Sequence, residues 1–178
     1  MIVKLRKLKK EDAEGMLEWM HDPNIYKYFR YDMEKQTLET ALSFIENATT
    51  NIMDGGNVHY AISDEEDKYL GTISLKNFDL ISKNAEYAIS LRSIAQGKGI
   101  ATEATQRLLK IAFQEYELER IYLNVLSDNI RAIRLYEKCG FVYEGEFRNH
   151  LFLRGEYKNL KWYGMLKGDF YNGQYYAK

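Results

Sequence analysis

The feature that most restricts the fold is a change of period near residue 96. Residues 85–91 read as a strand, but from Gly99 onward Ala101, Ala104, Leu108, Ile111 and Ala112 fall on one helical face until about Glu115, and residues 120–126 return to strand. A strand, a helix and a strand in succession form a right-handed crossover, so the two strands are parallel and their ends open on one side of the sheet.

The remaining segments arrange themselves around this unit. Residues 3–6 alternate as a first strand, and residues 10–21 place Ala13, Met16, Leu17 and Met20 at helical spacing. A second helix begins at Thr37, an N-cap residue type, after an aromatic loop over 26–31. Residues 58–63 and 69–75 flank the acidic, solvated turn 64–67, and 85–91 follows after a polar break at 82–84, as in an antiparallel meander. Asp128 and Asn129 start a further helix, Gly140 ends it, and strands over about 142–150 and 157–166 close the chain around the turn at Arg154 and Gly155. This order predicts an α/β (α+β) fold with a mixed sheet and helices on both faces.

With 178 residues, one proline and no linker-like stretch, residues 1–178 read as a single domain. Lys and Arg number 25 against 26 Asp and Glu, a net charge of −1 that offers no positive field for a nucleic-acid backbone or an anionic membrane. Cys139 is alone, and His21, His59 and His150 lack metal-ligand spacing, so no metal site is expected. No apolar run approaches the roughly 20 residues that cross a bilayer. The chain reads as soluble and cytoplasmic, and its strand edges leave pairing into a homodimer open.

Chemistry concentrates where the period changes. In Gln96-Gly97-Lys98-Gly99-Ile100-Ala101 the two glycines let successive backbone N–H groups point at an anion, and the start of the following helix adds its dipole. A dinucleotide fingerprint would need glycine where Thr102 stands. A P-loop would need glycine at Arg92 and Ser or Thr at Gly99. By itself the segment reads first as a flexible turn before an amphipathic helix. In context, the pattern Gln-x-x-Gly-x-Ala after a strand resembles the acyl-CoA diphosphate loop of the GNAT superfamily of N-acetyltransferases. Asn129, Ala132, Tyr136 and the run to Gly140-Phe141 resemble that family's Asn-x-x-Ala-x-x-x-Tyr-x-x-x-Gly-Phe signature.

The resemblance implies a twisted, mostly antiparallel sheet of about six to seven strands, with acetyl-CoA as co-substrate in the cleft between two splayed parallel strands. It implies that the diphosphate lies on the amides of Gly97, Lys98, Gly99, Ile100 and Ala101, beside Gln96, with Lys98 or Arg92 as an extra charge. The pantetheine arm would lie between Ile89, Ser90 and Leu91 on one side and residues 122–125, Asn124 among them, on the other. Asn129, with Ala132, would bind the arm, an amide near Ile89 or Ser90 would polarise the thioester, and Tyr136 would give a proton to the departing thiolate. Glu86 is the candidate base, because several family members use a carboxylate from that strand.

Plainer readings stand beside these: Tyr136 packs on a helix face, Asn129 caps a helix, and Glu86 is an exposed strand residue. A branch that acetylates ribosomal-protein N-termini has a glutamate twelve residues before the tyrosine. Here that position is Asn124, which cannot accept a proton.

Acceptor specificity in this superfamily resides largely in the parts that correspond here to the loop 21–31 and the hairpin 147–162. Their aromatics and charges suit a cationic amine through cation–π contact. The region Gly155-Glu156-Tyr157 is similar to that of spermidine N-acetyltransferases, which favours a polyamine-like small molecule. Amino-sugar nucleotides and peptide N-termini are the alternative acceptors. Two other classes are a non-catalytic acyl-CoA-binding or partner-binding module and an RNA-associated protein stacking bases on the tyrosine-rich tail 170–176, which has few lysines to meet phosphate.

Overall fold

The computed structural model describes residues 2–52 and 56–173. Its strands are β1 (Lys4–Arg6), β2 (Val58–Ser63), β3 (Tyr69–Asp79), β4 (Asn84–Leu91), β5 (Arg120–Leu126), β6 (Val142–Leu153) and β7 (Glu156–Leu166). They form one sheet in the order β1-β2-β3-β4-β5-β7-β6. The helices are α1 (Ala13–Met20), α2 (Pro23–Tyr26), α3 (Leu38–Asn47), α4 (Ile100–Lys110), α5 (Ile130–Lys138) and α6 (Lys167–Asn172). Neighbouring strands are antiparallel except β4 and β5, the pair joined through α4.

The helical period of α4 buries Ala104, Leu108 and Leu109 against Ile73, Ile121 and Leu123, and α5 adds Ile133 and Tyr136 to this layer. Each such buried aliphatic contributes roughly 1.5–3 kcal/mol, which fixes both helices to the sheet. A second cluster packs Met16 and Trp19 of α1 and Ile45 of α3 against Ala61 and Tyr69. The polar atoms there are paired: the Trp19 indole donates to the Tyr69 hydroxyl at 3.0 Å, which bonds Thr72 Oγ1 at 2.7 Å.

The parallel pairing of β4 and β5 stops early. Its rungs are Asn84↔Arg120, Ala85↔Ile121 and Glu86↔Tyr122. Beyond them β4 stays on β3 as far as Gly71↔Leu91, and β5 stays on β7 as far as Leu126↔Leu160. Each strand keeps its outer neighbour and loses its inner one, so a gap opens between them. Gly71 lets β3 hold the end of β4 this closely, since a Cβ there would lie 2.2 Å from the Ser90 carbonyl oxygen.

Several boundaries differ from the sequence expectations. The first helix opens with a single 3₁₀ turn over Lys10–Asp12. Pro23 begins the short helix α2, which the side chain of Asp22 caps by accepting from the Asn24 amide at 2.9 Å, because proline suits a first helical turn. Residues Ile111–Glu115 continue α4 as a π-helical turn. β6 passes the expected end at His150 and reaches Leu153 through a bulge between Phe147↔Leu160 and Leu151↔Lys158, whose polar residues hide the strand pattern. After β7 the chain turns into α6.

No helix among the described residues is long and apolar enough to cross a membrane. Residues 174–178, which include Tyr175 and Tyr176 of the tyrosine-rich tail, lie outside the described residues.

Candidate active site

The gap between β4 and β5 opens into a cleft of about 420 Å³ whose wall includes Ile89, Ser90, Leu91, the glycine turn and the inner side of α5. Gly97 and Gly99 have φ of +73° and +78°, in the left-handed region that glycine occupies at least cost, and an added Cβ at either would meet nothing within 4 Å. Gly99 is the N-cap of α4, and no side chain caps that helix. The first amides of α4 and the positive end of its dipole therefore stay available to an anion. Gly97, Gly99, Ile100 and Ala101 are in the cleft wall, a cradle that fits a diphosphate.

Gln96 clamps this turn. Its side-chain nitrogen donates to the Leu91 carbonyl at 3.2 Å, and its oxygen accepts from Arg131 of α5. The glutamine thus ties the end of β4, the glycine turn and α5 together. The positive side chains of the wall are Arg131, Arg134 and Lys138, of which Arg131 bonds Gln96 at the cradle. Arg92 turns elsewhere: it pairs with Glu18 and donates to the Tyr69 carbonyl at 2.9 Å. Lys98 is in the turn but not in the wall. The sequence reading missed the two arginines, although their spacing of three along the helix begun by Asn129 was the available signal.

Asn129 caps α5 by accepting from the Ala132 amide at 3.3 Å, and both residues line the cleft. Asn129 thus caps the helix from a position in the cleft wall.

Tyr136 lies one turn before the end of α5, where the chain closes in a Schellman motif. The Gly140 amide donates to the Glu137 carbonyl and the Phe141 amide to the Tyr136 carbonyl, both at 3.0 Å, with Gly140 at φ +90°. The Phe141 ring meets the Tyr136 ring at 6.1 Å. Tyr136 lines the cleft and is 8% exposed, and its hydroxyl has no hydrogen-bond partner among the described residues. Burial pushes its phenol pKa upward, so it stays protonated at neutral pH. Burial also pushes the Cys139 thiol up to about 11, which keeps it a thiol.

The alternation of β4 and β5 turns Glu86 and Asn124 away from the layer that holds Tyr87 and Leu123. Asn77 Nδ2 donates to Glu86 at 2.7 Å, and Lys76 Nζ and Asn124 Nδ2 stand 3.4 Å from it. Asn124 also accepts from Arg30 at 3.2 Å. Asn124 is therefore not in the cleft wall where it was expected: a strand side chain faces one side of a sheet, and this one faces the carboxylate. Tyr122 and Trp162 stack nearby with centroids 6.0 Å apart. Ile25, Tyr28 and Phe29 bring α2 and the aromatic loop into the cleft wall.

Residues 3–142 match the acetyltransferase (GNAT) domain family. A spermidine N(1)-acetyltransferase of Vibrio cholerae is 29% identical over 168 residues, 94% of this chain and 95% of the relative. The enzyme of that name from Escherichia coli is 30% identical over 157 residues, 88% of this chain and 82% of the relative. A crystal structure of the Vibrio cholerae spermidine N-acetyltransferase in complex with CoA and spermine superposes with a TM-score of 0.84 at 27% identity, covering 96% of this chain and 98% of that one. The splayed parallel strands, the glycine turn and this likeness agree: the chain belongs to the GNAT family of acetyltransferases.

Proposed function

We propose that the chain transfers the acetyl group of acetyl-CoA to a primary amine of a polyamine, by direct attack while both substrates are bound. The observation that carries this reading is the meeting in one cleft of an uncapped helix start, the end of β4 beyond its last rung to β5, and a phenol whose hydroxyl has no partner among the described residues. Bound there, acetyl-CoA supplies an acetyl group already activated as a thioester. The rest is the work of the chain. The amides of Gly97, Lys98, Gly99, Ile100 and Ala101 hold the diphosphate, with Arg131 and Arg134 as charges and Gln96 as the clamp. Main-chain groups of Ile89, Ser90 and Leu91 hold the arm as a further strand would, and the amide of Ile89 or Ser90 polarises the carbonyl. Asn129 and Ala132 form the far side.

Tyr136, kept protonated by burial, donates its proton to the departing sulfur as the C–S bond breaks, and the second proton that the attacking nitrogen sheds at that step passes to solvent, which restores the phenol. An alkylammonium with a pKa near about 10.4 costs roughly 4–5 kcal/mol to neutralise at pH 7, and Glu86 receives that proton. Asn124 serves by orienting Glu86 rather than by touching the coenzyme. Cys139 is buried, outside the cleft wall, and takes no part in the transfer.

Polyamine as acceptor is supported by the substrates named for the relatives and by the rings of Tyr122 and Trp162 near Glu86, which suit a cationic chain. Residues 1–178 act as one N-acetyltransferase domain in the cytoplasm, without nucleic acid. A homodimer forms along β6, one of the two edge strands, where Val142, Tyr143 and Phe147 are each at least half exposed.

The test is coenzyme A release from acetyl-CoA with spermidine, spermine, an amino-sugar nucleotide and an N-terminal peptide. The expected order places a polyamine first by at least about tenfold in kcat/KM, equal to about 1.4 kcal/mol. Preference for the nucleotide or peptide overturns the acceptor, and no release with any amine overturns the transferase.

A further inference from the structure

We infer that Tyr87 and Thr105 are positioning residues that orient Tyr136 and tie it to the glycine turn; the inference rests on the proposed role of Tyr136 as proton donor. Nothing bonds the Tyr136 hydroxyl within the described residues, so its direction is set by what grips its ring. Two rings do so. Phe141 meets it from the end of the helix, and Tyr87 meets it edge-on, with centroids 5.8 Å apart and planes at 85°. Tyr87 and Phe141 also touch, at 5.6 Å, so the three rings form one cluster.

Tyr87 is itself held. It is the first residue of β4 beyond the last rung to β5, and it is 3% exposed. Its hydroxyl lies 2.7 Å from Thr105 Oγ1, and Thr105 donates to the Ala101 carbonyl at 2.7 Å. Since the threonine proton is committed to Ala101, the Tyr87 proton goes to Thr105 and cannot be given to the cleft. Tyr87 therefore positions and does not donate.

A hydroxyl pair inside an apolar core brings desolvation that a Phe and Val pair would avoid. What the polar pair adds is direction: it fixes the rotation of the Tyr87 ring, and through it the face that Tyr136 packs on. Thr105 is fully buried and bonds Ala101, a residue of the cradle wall. The link thus runs from the diphosphate cradle to the acid through two side chains, Thr105 and Tyr87.

The experiment is a double-mutant cycle of Tyr87→Phe and Tyr136→Phe, read as steady-state coenzyme A release with the best acceptor and accompanied by thermal melts. Tyr136→Phe is expected to lower kcat about a hundredfold or more. Tyr87→Phe is expected to lower kcat about three- to tenfold, with KM for acetyl-CoA unchanged. In the Tyr136→Phe background Tyr87→Phe should cost nothing further, because a residue that acts through the acid has nothing left to orient. Thr105→Val, which removes the same hydrogen bond, should repeat the pattern if Tyr87→Phe folds poorly. An undiminished kcat in both Tyr87→Phe and Thr105→Val, or an equal loss in the presence and absence of the Tyr136 hydroxyl, overturns the inference. An undiminished kcat in Tyr136→Phe instead overturns the assignment of the acid.

Discussion

Gly97 and Gly99 hold left-handed backbone angles with open space beyond them. A side chain there faces two separate costs: the conformation itself, about 1–2 kcal/mol for an ordinary residue, and whatever the side chain brings into the cradle. Gly99→Glu adds bulk and a negative charge where a diphosphate is to bind. Its expected result is a loss of acetyl-CoA affinity of at least about a hundredfold, the equivalent of one or two charge-assisted hydrogen bonds. Calorimetry alongside circular dichroism checks it, and unchanged affinity with an intact fold removes the cradle. A second residue-scale effect concerns pH. His59 bonds Ser74 Oγ at 2.7 Å and packs against Phe44, and burial, with Lys76 adding a smaller push, lowers its pKa to about 4 from 6.5. Between those values the unfolded chain binds the proton that the folded one refuses. Stability is therefore complete above about pH 6.5 and falls as pH drops toward 4. The loss is up to about 2 kcal/mol once solvent screening is discounted. Urea titrations at pH 7 and 4.5 should show the difference, and His59→Gln should reduce it.

At the scale of elements, the site depends on how strands and loops are tethered. β4 and β5 part because β3 and β7 hold them from outside, while the Schellman turn after α5 seats Tyr136 at the gap. The aromatic loop after α2 is held from a distance: Arg154, in the turn between β6 and β7, donates to the carbonyls of Lys27 at 2.9 Å and Tyr26 at 3.1 Å. Its guanidinium also lies 5.5 Å from the centre of the Tyr26 ring. The loop carries Arg30, which reaches Asn124 beside Glu86. Arg154→Ala should release the loop and raise KM for the acceptor about fivefold, the equivalent of one net hydrogen bond of about 1 kcal/mol, with little change in melting temperature. An unaltered KM separates this loop from acceptor binding. The clamp made by Arg154 was not legible in the sequence, since a positive residue in a hairpin turn ordinarily faces water.

At the scale of the whole molecule, the sheet ends in an edge strand of 12 residues with exposed aromatics. Such an edge is a template for pairing unless it is covered. The proposed homodimer makes a direct prediction: light scattering should give twice the 21.0 kDa chain mass, and Phe147→Glu should shift the population toward the monomer without loss of helix content. A monomeric wild type at concentrations of about 100 μM, where even a dimer with a Kd near 1 μM is nearly all assembled, excludes this interface.

The amino-acid sequence by itself determined what is local. The change of period at residue 96 pointed to a crossover, glycines at 97, 99 and 140 permitted left-handed turns, and the stripe along α4 called for a buried face; each follows from the φ, ψ and periodicity of a few neighbouring residues. Only the tertiary structure decided which charges meet. It turned Arg92 to Glu18, brought Arg131 and Arg134 to the cradle, set Asn124 on Glu86, and placed Tyr87 between Thr105 and Tyr136. These partners lie between 18 and 74 positions apart where they are hydrogen-bonded across the chain. Their meeting depends on the order of strands in the sheet and on the face each strand turns to its helices, which periodicity alone does not encode.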